Sequence, residues 1–112
     1  MKLDILMSCM NQQDDRLIHC SKITGNAVVI NQCGTDAARQ YPTENGIVRW
    51  YDSSGKGLTV SRNLALEHSD ADICLLCDDD EVFVADYEDR ICRAYRQLPQ
   101  ADVMIFKMVG RA

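Results

Sequence analysis

Apolar residues fall in short runs, and the runs alternate between two periodicities. Residues 3–9, LDILMSC, are apolar on both faces, as in a strand covered on both sides. AVVINQ (27–32), IVRWYD (47–52) and DICLLC (72–77) predict three further strands, and DVMIFKM (102–108) a fifth. Between them the spacing changes to that of helices. DDRLIHCSKI (14–23) predicts a short helix with acids at its start and Leu17, Ile18 and Ile23 facing inward. TDAARQY (35–41) predicts one or two helical turns, stopped by Pro42, and Asn45-Gly46 marks the turn into the third strand. GLTVSRNLALEHS (57–69) predicts a helix with Leu58, Val60, Ser61, Leu64 and Ala65 on its inner half. ADYEDRICRAYRQL (85–98) carries an apolar stripe of Tyr87, Ile91, Ala94, Tyr95 and Leu98. Its acids lie early and its arginines late, which suits the helix dipole and marks the arginine row as a solvated face.

Strands alternating with helices predict a mostly parallel sheet with right-handed crossovers, in one α/β domain. The length of 112 residues, 46% hydrophobic, suits one such domain and not two. The apolar runs are too short to span a membrane, and the N-terminus lacks the marks of a signal peptide. The six cysteines therefore read as reduced thiols in a cytoplasmic protein, acting as small hydrophobes. A net charge of −5 and the lack of a basic stripe argue against nucleic acid.

The segment ICLLCDDDEVF (73–83) changes the picture, because it aims carboxylates off the end of a buried strand. Adjacent like charges repel, so water or a bound cation must offset the cost. If the strand stays extended, Asp78 and Asp80 project to one side and Asp79 to the other. Asp78 and Asp80 would then share a divalent ion, with hard oxygen donors favouring Mg²⁺, Mn²⁺ or Ca²⁺ over zinc. A solvated acidic loop is the alternative. Glu81 either supports the pair from behind or opens the next turn.

Other motifs compete. Cys74 and Cys77 spell C-x-x-C, but within a strand they face opposite ways and cannot chelate one ion, so core packing is favoured. Cys9, Cys33 and Cys77, near strand ends, form a soft-metal alternative. SSGKGLTVS imitates a phosphate loop, but Trp50 stands where the first glycine belongs and Gly57 follows the lysine. Gly55 and Gly57 still allow close backbone approach. Arg62 and Asn63, one turn into the helix, either face a phosphate or base near Asp78 and Asp80 or point to solvent. A receiver domain would fit the size, with Lys107 near the last strand. It would need an acidic pair after the first strand, where SCMN stands, and Asp14 and Asp15 come too late. His19 and His68 read as isolated helix residues.

Taken in order, ILMSCMN, VVINQCGTD, GKGLTVSRNLAL and ICLLCDDDEVF resemble the nucleotide-binding half of family-2, GT-A-type inverting glycosyltransferases. The resemblance covers nearly the whole chain. It implies a Rossmann-like three-layer α/β/α fold of the nucleotide-diphospho-sugar transferase type. It also implies a DXD motif in which Asp80 holds a Mn²⁺ or Mg²⁺ ion bridging the donor diphosphate, and Asp78 shares the ion or contacts the ribose. Asn11 would lie beside the base, with Gln32, Arg62 and Asn63 facing the nucleotide of a nucleotide-sugar donor, a UDP-sugar being favoured. Two departures stand out. Asn31 and Gln32 occupy positions where the family carries acids, although amides also hydrogen-bond a base. The family's general base lies beyond the fifth strand, so no catalytic residue is assigned. A truncated chain is expected: the donor-binding part of a longer transferase, which binds a nucleoside diphosphate without transferring sugar. An open edge left by a missing half would favour a homodimer. The competing class is a non-catalytic α/β domain, either a binding module or a receiver-like switch.

Overall fold

A computed structural model describes residues 2–104. Its strands are β1 (Leu3–Met10), β2 (Ala27–Gln32), β3 (Ala37–Pro42), β4 (Ile47–Ser53) and β5 (Ile73–Asp78); its helices are α1 (Arg16–Cys20), α2 (Leu58–His68) and α3 (Tyr87–Gln97). The strands form one mixed sheet, ordered β3-β4-β2-β1-β5. β1, β2, β4 and β5 run parallel, and β3 runs antiparallel to β4.

The doubly apolar strands lie where their pattern demands, at the centre. Odd positions of β1 (Leu3, Ile5, Met7, Cys9) join Val29, Val48 and Trp50 in a core closed by Ile18 of α1 and Tyr87, Ile91 and Cys92 of α3. Leu6, Val28 and Ile30 face the other way, onto Ala65 of α2. Ser61 and Ala65, one turn apart, are the buried residues of α2. Leu58 and Val60, expected to face inward, are 49% and 44% exposed, because the two small side chains set the line of contact with the sheet. Leu98, expected in the α3 stripe, is also exposed. Arg90 and Arg93 of α3 pair with Asp86 and Asp89 one turn earlier, on the solvated face expected of them.

The segment expected as helical turns over 35–41 is β3 instead. AARQYP is too short, and lacks the apolar stripe, to sustain an isolated helix. As a strand it closes a hairpin with β4, in which Thr43 N–H donates to Gly46 O (2.9 Å) and Tyr41 meets the Trp50 ring edge-on. Asn45-Gly46 is thus the turn of a hairpin, not merely the start of a strand. The strand expected over 102–108 falls outside the described residues from 105 onward, as does Lys107, and 102–104 are not in a strand. Among the described residues no helix is long and apolar enough to cross a membrane.

Candidate functional site

The sheet order places β2 on one side of β1 and β5 on the other, so the connections change direction between β1 and β5. In open α/β sheets, that crevice at the carboxyl ends is where ligands bind. Asp78 stands opposite Ser8 in the β1–β5 register, and Asn11 follows the end of β1. Asn11 adopts a left-handed φ of 54°, which asparagine tolerates, and its N–H donates to Gln32 O (3.1 Å). Gln32 in turn donates through Nε2 to Gly57 O (2.9 Å). Gly57 has φ 92° and ψ 149°, a conformation open almost only to glycine, and it caps α2. Ser61 Oγ donates to Ser8 Oγ at 2.6 Å and fixes the start of α2 against β1. Arg62 then reaches Asp78, Nη2 to Oδ1 3.6 Å, with both side chains part-exposed. Asn63 is exposed beside it. Hydrogen bonds thus join Asn11, Gln32, Gly57 and Ser61, and Arg62, next in α2, meets Asp78 on the same edge.

The carboxylate block departs from the extended geometry expected of it. β5 ends at Asp78, where pairing with β1 stops. Asp79 and Asp80 form a turn, closed by Glu81 N–H donating to Asp78 O (3.3 Å). Aspartates suit such turns, and Asp78, Asp79 and Asp80 are all exposed. Asp78 and Asp80 are thus not aligned by strand alternation. Among the described residues, no group of three or more His, Cys, Asp or Glu side chains is placed to hold a metal.

Sequence reasoning missed a polar network directly behind this edge. Asn31, fully buried, donates from Nδ2 to Gln12 O and to Asp52 Oδ1 (both 2.9 Å) and accepts from Gln12 N–H (3.0 Å). Its amide is spent within the protein and cannot read a base. Asp52 also accepts from Trp50 Nε1 (3.0 Å) and takes both oxygens to Arg39 Nη2 (3.0 and 2.9 Å). Burial raises the Asp52 pKa, but the hydrogen bonds from Asn31 and Trp50 and the charge of Arg39 outweigh it and hold the carboxyl below its ordinary value. The available signal was parity. Asn31 and Asp52 are partners in the β2–β4 register, two polar residues at matching ends of apolar strands.

Among the described residues, Cys9, Cys33 and Cys77 of the soft-metal alternative are not placed to hold one ion. Burial first, then the charges of Asp79 and Asp52, pushes the Cys9 thiol up to about 12. Burial, with Glu81 and Asp78, pushes Cys77 higher still. All six cysteines are free. Cys77 is buried and Cys74 exposed, opposite-facing as expected, although Cys74 is not a core residue. His19 lies beside Asp15, and His68 stacks on Tyr51.

A groove of about 590 Å³ lies away from this edge and is lined by Thr24, Asn45, Asp86, Glu88 and Arg96. Asp86 is held there by Arg90, and the groove presents no convergent chemistry. No family model, curated protein or solved structure matches this chain.

Proposed function

We propose that this domain binds the nucleoside-diphosphate part of a nucleotide sugar at the carboxyl edge of its sheet. It would act as the donor-binding part of a family-2, GT-A-type glycosyltransferase, in a Rossmann-like three-layer fold. The observation that supports this best is the Arg62–Asp78 pair at the direction change between β1 and β5, beside the hydrogen-bonded run Ser61–Gly57–Gln32–Asn11. The glycine loop allows close backbone approach, Arg62 meets phosphate charge, and Asn11 and the free end of Gln32 face the base. Uridine nucleotides are the favoured donors. We assign no catalytic base. Six free thiols accord with a cytoplasmic setting.

Asp78 and Asp80 suit a hard divalent cation by donor type. Two carboxylates plus phosphate oxygens is a common way to hold Mg²⁺, whereas zinc would want nitrogen or sulfur. When bound, the ion would neutralise the diphosphate charge. Calorimetry with UDP and GDP, with and without Mn²⁺, tests the proposal. We expect metal-dependent binding that Asp80→Asn abolishes and Arg62→Ala weakens about tenfold, as for a lost charge-assisted hydrogen bond. Binding indifferent to both the metal and Asp80 would remove the metal from the proposal. Binding of neither nucleotide would favour a domain of another class.

A further inference from the structure

The opposite end of the sheet carries a second polar construction, which the donor site does not use. Asp4 lies in the otherwise apolar centre of β1 and is only 1% exposed. It faces the α2 side, two residues before Leu6 on the same strand face. α2 covers that face over Leu6, Val28 and Ile30 and ends at His68, and beyond it Ser69 and Asp70 reach Asp4 and Arg49 at the amino-terminal part of the sheet. There Lys2, Asp4, Asn26, Gln40, Ile47 and Arg49 line a pocket of about 200 Å³. Asp4 Oδ2 is satisfied, accepting from Ser69 Oγ (2.7 Å) and Arg49 Nη2 (3.2 Å). Asp4 Oδ1, equally buried, has no hydrogen-bond donor among the described residues. An unpaired buried carboxylate oxygen is expensive, so a donor from beyond these residues is called for.

The surroundings decide what kind of donor. Arg49 also reaches Asp70 Oδ1 (3.5 Å), to which Lys2 Nζ is bonded at 2.7 Å. The two cations are thus balanced by two carboxylates. A free cation would meet Arg49 and Lys2, and an anion would meet Asp4 while leaving Oδ1 unpaired. A hydroxyl fits both demands, donating to Oδ1 while accepting from Arg49 or from an amide. Asn26 Oδ1 is taken by Ile47 N–H (3.0 Å), which leaves its Nδ2 as a further donor, and Ile47 offers an apolar wall. The volume is several times the ~30 Å³ of a water and below the ~300 Å³ at which drug-sized sites begin.

We propose that this pocket binds a neutral, hydroxyl-rich molecule of monosaccharide size, seated against the paired Asp4 and Arg49. The proposal is independent of the donor site. Titration of ¹⁵N-labelled protein with myo-inositol, and separately with D-glucose, tests it. At least one should produce saturable shifts at the amides of Asp4, Arg49, Ser69 and Asp70. Acetate and guanidinium, as charged probes, should bind there more weakly. Asp4→Asn should weaken the polyol about tenfold, and Gln40→Ala, on the exposed edge strand, about threefold. Shifts that fail to saturate with both polyols, centre elsewhere, or survive Asp4→Asn at unchanged affinity overturn the proposal. So does tighter binding of either charged probe. Should Asp4→Asn not fold, unchanged affinity in Gln40→Ala overturns it equally.

Discussion

Asp52 shows how a single carboxylate organises the edge behind the candidate site. Its pKa is lowered in the folded state, so its stabilisation is present above the unfolded carboxylate value of about 4 and is lost as pH falls through the lower folded value. Melts between pH 2.5 and 6 should therefore show stability falling at the acid end, and Asp52→Asn should flatten that slope. Asp52→Ala, which strands Arg39, Asn31 and Trp50 Nε1, should cost about 2–3 kcal/mol at neutral pH by chemical denaturation. The cysteines give a second residue-level expectation. Iodoacetamide at pH 8 should label exposed Cys20 and Cys74 first and leave Cys9 and Cys77 unmodified in the folded protein, as read by mass spectrometry. Rapid labelling of Cys9 would contradict its burial. Little of the Asp52 network was legible in the sequence. Asp52, Arg39 and Gln12 lie on three separate segments: the β2–β4 register sets Asp52 opposite Asn31, the β3 hairpin brings Arg39 to Asp52, and the loop after β1 brings Gln12 to Asn31.

The elements divide by how strongly their pattern constrains them. β1 and β2, apolar on both faces, could only be central strands, and α3 carried both its stripe and its charge order in plain view. β3 was not legible as a strand. Its residues are nearly all exposed, so they carry no burial pattern, and its conformation depends on pairing with β4. The inner face of α2 was misplaced because large apolar residues normally mark burial, whereas here Ser61 and Ala65 make the contact. The close approach they permit makes α2 sensitive to volume. Ala65→Leu should overpack the α2–sheet contact by about 1–3 kcal/mol. Gly57→Ala should cost about 1–3 kcal/mol through backbone strain alone, since a methyl there would meet no atom within 4 Å. Urea denaturation of both variants checks these values. A neutral Gly57→Ala would show that the cap does not require its positive φ.

At the scale of the whole molecule, the four parallel strands give the sheet two chemically distinct ends. The carboxyl end gathers Asn11, Gln32, Gly57, Arg62 and Asp78, while the amino end holds the Asp4–Arg49 pocket. The mostly parallel α/β class was readable from alternating periodicities, and so was the gathering of Asn11, Arg62 and Asp78 at the carboxyl edge. The conformation of the acid block was not, because the end of the β1–β5 ladder, invisible in sequence, turns Asp79 and Asp80 out of the strand. Paramagnetic relaxation by Mn²⁺–UDP tests the central claim most directly, since it reports where the bound ion sits. With ¹⁵N-labelled protein, the amides of Asn11, Gly57, Asp78 and Asp80 should lose intensity first, and Asp80→Asn should restore them. Signal loss centred on the acidic start of α3, at Asp86, Glu88 and Asp89, or loss that Asp80→Asn leaves unchanged, would contradict a donor site at the carboxyl edge.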